Sequence, residues 1–317
     1  MNRYLCAVAL TTACLVLQAC TTNPTTGRSQ FNALSRDEEI KLGADAKPEM
    51  LKEYGGEVKS VDLQQYVSRV GRRLADQTEA DYPSLPWEFT LLDSDVINAF
   101  ALPGGKVFMS RGLAAKLTNE AEMAGVLGHE CGHVTARHIN DRMADQIGVG
   151  VIATVAGAVI GSTSDNDLVR YGTPVAFGVG SQLVLLSFSR NQELEADRLG
   201  VRYMVKVGYD PKGQLQVMEV LDRESGGDSA SSFFATHPDP KARIAQIQKL
   251  LAGEYAYTQN NPKFALYERE YKEQFLARLP PAPAPQKKAE AGGRTFDLSR
   301  PASWCSVCAA QSSRATP

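Results

Sequence analysis

The sequence predicts an α+β fold, mainly helical, with a small antiparallel sheet beside one central helix. Three observations carry this. Leu63, Val67, Val70 and Leu74 recur at helical spacing. Residues 87–92 and 96–102 read as strands, and the second runs through the hairpin turn PGGK at 103–106 into VFMS. Polar start signals open further helices, Ser35 with Glu38 and Asn119 with Glu122.

Taken in order, the first segment stands apart from the fold. Arg3 precedes an apolar run, residues 4–17, that is shorter than the ~20 residues a spanning helix needs. The run ends in LQAC and gives way to polar, turn-rich TTNPTTGRSQ. This resembles a bacterial lipoprotein signal: residues 1–19 as the leader, Cys20 as the lipid-modified N-terminus, residues 20–34 as a linker from the anchor. A plain secretory signal, cut nearby without a lipid, is the alternative. Thr21 rather than Asp after the cysteine implies, by the same resemblance, the outer membrane with the domain facing the periplasm.

A domain over residues 35–278 follows, beginning with helices over roughly 35–54 and 60–79 and then the strands. Beyond the helix opened at Asn119 come two apolar, glycine-containing runs, residues 147–161 and 173–189, each short for a membrane span. They read as a helical hairpin packed on the domain, or alternatively as a membrane-leaning or substrate-facing lid. A helix over about 191–207 stops at Gly208, with Pro211 just beyond. The last starts in HPDPKARIAQIQKLL, with Pro240 in its first turn and Ile244, Ile247 and Leu251 on one face. Residues 279–317 have the Pro/Ala-rich composition of a disordered tail, and no internal repeat is visible.

Composition narrows the function. The 317 residues are 43% hydrophobic and 22% charged with a net charge of −2, a globular balance without the clustered Lys/Arg of a nucleic-acid-binding face. Past the leader and Cys20, the cysteines are Cys131, which has no partner in the domain, and Cys305 and Cys308 in the tail. The CxxC pair lacks strand–helix context, so it reads as a local disulfide or an inert tail rather than a redox site.

GHECGHVTARH, residues 128–138, holds three of the four histidines. Residues four apart on a helix lie about 40° apart in projection, so His129 and His133 can reach one ion. Glu130 lies about 100° round, beside a bound water rather than on the metal, as in the H-E-x-x-H arrangement of zinc hydrolases. The same geometry turns Cys131 and His138 about 180–200° away, as packed residues. A catalytic zinc usually has three protein ligands. Glu193 and Asp197 share one face of a later helix, where one carboxylate completes a His₂Glu shell and the other accepts the free N–H of a ligand histidine. Glu195 projects to the other side. His237, the remaining histidine, precedes Pro238 at a helix entrance. It reads as a donor to the developing oxyanion, as a fourth ligand that shuts the site, or as a turn residue without a role.

HECGH, SRNQELEADRLG and THPDPKARI together resemble metallopeptidase family forty-eight, gluzincins that include HtpX, the CAAX prenyl endopeptidases and periplasmic quality-control proteases. The likeness runs from about Asp37 to Leu251 and is nearest to the compact lipoprotein members. It implies a zincin-type domain, one Zn²⁺ on His129, His133 and Glu193, Glu130 as general base, and Asp197 beside the ligands. Arg243, by the same resemblance, orients a carboxylate or a substrate carbonyl. It also implies that an extended peptide lies along the edge strand at Asn98, Ala99 and Phe100. The function to expect is a zinc metalloendopeptidase, lipid-anchored in the membrane, that cuts unfolded or misassembled envelope proteins. Its rival is a non-proteolytic chaperone or assembly lipoprotein with a latched or structural zinc. A CxxC redox lipoprotein is a third option.

Overall fold

Asn119 opens the helix at the centre of the molecule by accepting the Glu122 N–H, so a polar side chain satisfies one of the donors that a helix start leaves free. The computed structural model describes residues 20–80, 82–145, 187–224 and 231–280. The leader, the run at 147–161, most of that at 173–189 and the CxxC tail lie outside the described residues. Along the chain run β1 (Cys20–Thr22), β2 (Ser29–Phe31), α1 (Arg36–Glu53), α2 (Val61–Ala75), β3 (Glu88–Leu92), β4 (Ala99–Leu102) and β5 (Lys106–Ser110). They are followed by α3 (Arg111–Ala114), α4 (Glu120–Thr135), α5 (Arg190–Lys206), α6 (Lys212–Glu224), α7 (Ser231–Thr236), α8 (Pro240–Ala252) and α9 (Glu268–Gln274). The architecture is mainly helical α+β, as expected.

Every residue of α4 but Val134 is buried, which explains why this helix shows little amphipathic patterning. It is packed by α2, α5, α6 and the sheet. The helix-spaced residues of α2, Leu63, Val67, Val70 and Leu74, enter one core with Trp87 and Phe89 of the sheet side and Leu127 of α4. The sheet differs from the antiparallel one expected. Its order is β3-β5-β4, with β4–β5 antiparallel and β3–β5 parallel. The 93–98 connection carries the chain past β3, so the hairpin strand β5 inserts between β3 and β4. Gly104 and Gly105 of the hairpin turn have φ +73° and +88°, the left-handed region that only glycine enters without strain.

The two sheet edges end differently. On β3, the Gln64 amide donates to Leu91 O at 2.8 Å and accepts from Leu91 N at 2.9 Å, imitating a neighbouring strand. No described strand pairs with the outer edge of β4, which borders α4.

Residues 20–34, expected as a linker, contain regular structure. β1 and β2 pair as a hairpin starting at Cys20, and its amides close the end of α4: Asn23 donates to Thr135 O at 3.0 Å and Gln30 to Ala136 O at 2.7 Å. Carbonyls orphaned at a helix C-terminus thereby find donors.

The crossing of α4 and α5 sets the site. A Cβ built on Gly200 would lie 2.9 Å from His129 N, and one on Gly132 would lie 2.9 Å from Ala196 O, so backbone touches backbone. Gly200→Ala is therefore expected to push the helices apart, lowering stability by ~1–3 kcal/mol and weakening zinc binding together. Thermal melting and chelator competition on the same preparation check both parts.

Candidate metal centre

His129 and His133 lie one above the other on the face of α4 that meets α5, and Glu193, in the first turn of α5, faces them. His129 Nε2 is 3.0 Å from His133 Nε2 and 3.5 Å from Glu193 Oε2, while His133 Nε2 is 3.3 Å from Glu193 Oε1. His237 supplies a fourth corner: its Nδ1 is 3.4 Å from His129 Nε2 and 3.1 Å from Glu193 Oε1. It follows α7, stacks on Phe233 at 4.7 Å and is 1% exposed.

Asp197, one turn after Glu193, lies 2.9 Å from His129 Nδ1. A carboxylate only accepts, so His129 carries its hydrogen on Nδ1 and turns the Nε2 lone pair toward the cluster. Arg243 at the start of α8 grips Asp197 with Nε and Nη2, both at 2.7 Å, and its Nη1 lies 2.7 Å from Glu193 Oε2. Gln214 of α6 adds a donor to Asp197 at 3.0 Å, a contact without a local sequence signal.

These groups fit a zinc ion. One ligand atom from each of His129, His133, Glu193 and His237 lies within 4.8 Å of all the others. The separations above are close to the ~3.3 Å edges of a tetrahedron with metal–ligand bonds of ~2.0–2.1 Å. Burial and Arg243 push the His129 imidazolium down, yet Asp197 and Glu193 raise it to about 9, so the site calls for positive charge where the nitrogens converge. Burial, and then His129, hold His133 well below the ordinary histidine range, the neutral state a ligand needs. Glu193 is kept well below the usual carboxylate range; burial opposes this, but Arg243 and His237 prevail. Glu193 Oε2 and Glu130 Oε1 are buried without an aligned hydrogen-bond partner.

Glu130 is 1% exposed, with Oε1 3.8 Å from His237 Nε2, and burial raises its carboxyl. Cys131 is buried in the apolar core and burial raises its thiol, so it takes no part. Phe100, placed among substrate contacts by resemblance, turns its ring inward, stacked on Phe108 at 4.9 Å. Asn98 donates to the Tyr54 hydroxyl at 3.1 Å. Ala99 is fully buried, so what this strand offers outward is backbone. Ala101 and Leu102 at the end of β4 line a narrow recess together with His133 and Val134.

One expectation fails. His138 does not face away from the metal side, because α4 stops at Thr135 and Arg137 turns left-handed at φ 57°. Both Glu39 oxygens hold Arg137 there, accepting from its Nε. The chain turns back and places His138 Nδ1 2.9 Å from His133 Nδ1. Glu195, which is not among the four converging groups, meets the far side of this ring.

The model of peptidase family M48 matches residues 62–251. Among similar proteins, the mitochondrial metalloendopeptidase OMA1 of Schizosaccharomyces pombe is 33% identical over 72% of this chain and 65% of its own length. The beta-barrel assembly-enhancing protease of Escherichia coli (strain K12) is 31% identical over 72% of this chain and 46% of its own. The metalloendopeptidase OMA1 of Danio rerio is 27% identical over 72% and 50%. The alignments thus span about half to two thirds of these relatives.

Proposed function

Since the chain belongs to peptidase family M48, we propose that it is a zinc-dependent endopeptidase that hydrolyses unfolded or misassembled cell-envelope proteins. The observation that carries the chemistry is a buried Glu130 carboxylate beside the ligand cluster, its Oε1 without an aligned hydrogen-bond partner. His129, His133 and Glu193 would hold the zinc, which when bound would supply Lewis-acid activation of water and of the scissile carbonyl. Glu130 takes the proton from the attacking water and hands it to the leaving amine nitrogen. Its raised pKa suits both tasks, since a carboxyl nearer the working pH returns the proton readily. Asp197 and Arg243 keep His129 in its ligating tautomer. The edge of β4 that no described strand pairs holds an extended substrate by main-chain hydrogen bonds, with Ala101 and Leu102 lining a recess beside His133.

The envelope assignment draws support from the lipoprotein-like leader ending at Cys20 and from the name of the Escherichia coli relative. In this reading Cys20 carries the lipid, the anchor sits in the outer membrane and the domain faces the periplasm. Among the described residues no helix is long and apolar enough to cross a membrane.

His237 is read as a latch, because its Nδ1 occupies the corner that substrate and water require. Degradation of unfolded casein by the soluble form starting at Thr21, with zinc, tests the proposal. His237→Ala is expected to cleave at least about tenfold faster than wild type, the factor that ~1.4 kcal/mol of latch free energy represents. Slower cleavage would make His237 the oxyanion donor instead. Silence from both proteins, with zinc bound, would favour the non-proteolytic chaperone with a structural zinc.

A further inference from the structure

The two cluster histidines that α4 carries are held in different ways. His129 meets a carboxylate directly, Asp197 at 2.9 Å. His133 meets another histidine, with His138 Nδ1 2.9 Å from its own Nδ1. His138 Nε2 lies 3.1 Å from Glu195 Oε2. Glu195 in turn is held by Arg28 of the N-terminal hairpin, Nη2 to Oε2 at 2.8 Å and Nε donating to Oε1 at 3.1 Å. Arg28 also reaches Asp141 at 3.3 Å, in the helical stretch 138–145 that carries His138.

Hydrogen placement along this line follows from the carboxylate end. Glu195 accepts, so the hydrogen of neutral His138 sits on Nε2 and its Nδ1 offers a lone pair. His133 must then donate from Nδ1, which leaves its Nε2 lone pair aimed at His129 and Glu193. The Phe188 ring lies 4.0 Å from His133 between centroids, tilted by 32°, an apolar contact that chooses no tautomer. His138 is fully buried, so water does not replace it.

We propose that His138 is a positioning residue that, with Glu195 and Arg28, fixes the tautomer and ring orientation of the ligand His133 and ties the N-terminal hairpin to the metal centre. This rests on the zinc reading of the cluster. It assigns His133 the same kind of support that Asp197 gives His129, lengthened by one imidazole, and it makes the segment after Cys20 part of the centre's framework.

The test is zinc affinity by chelator competition, together with the visible absorption of the cobalt-substituted protein, on full-length chain in detergent. His138→Leu is expected to weaken zinc binding about 10–100-fold and to alter the cobalt bands, since supporting partners of ligand histidines carry effects of that size. His138→Gln offers a donor to Glu195 and an acceptor to His133, so it recovers most of the affinity. Glu195→Ala weakens binding severalfold, and Arg28→Ala, at a half-exposed position, least. A folded His138→Leu protein with wild-type zinc affinity and unchanged cobalt bands would overturn the relay while leaving the metal centre intact. Should that variant not fold, unaltered affinity and bands in Glu195→Ala would overturn it equally. Wild-type protein that binds no zinc would remove the metal reading and the relay together.

Discussion

Glu130→Gln is expected to lose about 10²–10⁴-fold in casein cleavage, the range a positioned general base contributes, while binding zinc with full stoichiometry. The separation of the two readouts comes from geometry. Glu130 is absent from the four groups that converge within 4.8 Å, so the amide removes a proton acceptor and no ligand. Stability should not fall. Oε1 has no aligned partner and burial raises the carboxyl, so the folded protein holds this charge at a cost that the neutral amide relieves. Lost cleavage with retained zinc and an equal or higher melting temperature is the expected pattern. Undiminished cleavage would remove Glu130 from the chemistry.

Arg243→Leu is expected to have the largest effect on the folded state, about 3–5 kcal/mol, the scale for removing one partner of a buried ion pair. The guanidinium is 1% exposed and reaches two fully buried carboxylates, Asp197 and Glu193. Burial would raise Asp197, but Arg243 outweighs it and holds the carboxyl well below the usual range. Without Arg243 the two acids repel across a dry interior, and His129 loses a firmly placed partner. Zinc, which also neutralises Glu193, is expected to recover part of the loss, because a ligand that binds only the folded state stabilises it. Denaturant melts with zinc and with chelator separate the two contributions: a larger loss in chelator is the expected result. Equal losses in both would mean that Arg243 supports the fold independently of the centre.

Much of the candidate centre could be read from local periodicity. Helical spacing puts His129 over His133 and Glu193 over Asp197 whatever surrounds them, and it turns Glu130 aside and Cys131 away. Capping is equally local: Ser35 with Glu38, and Asn119, open their helices in the structure where their side chains announce them. These features depend on residues within one turn of each other, so one chain segment suffices to specify them.

Relations between segments were not legible in this way. That α4 and α5 meet backbone to backbone depends on Gly200 facing His129 N and Gly132 facing Ala196 O, positions more than sixty residues apart in sequence. Insertion of β5 between β3 and β4 depends on how the 93–98 connection crosses, and a strand pattern carries no pairing order. The return of His138 to His133 depends on a left-handed arginine whose ion pair with Glu39 comes from a distant helix. Arginine gives no warning of that conformation, as glycine would. The hairpin at Cys20 folds because Asn23 and Gln30 find free carbonyls at the end of α4. A helix fixes directions around its own axis; where that axis points, and what stands opposite, is settled by contacts that exist only once the chain has packed.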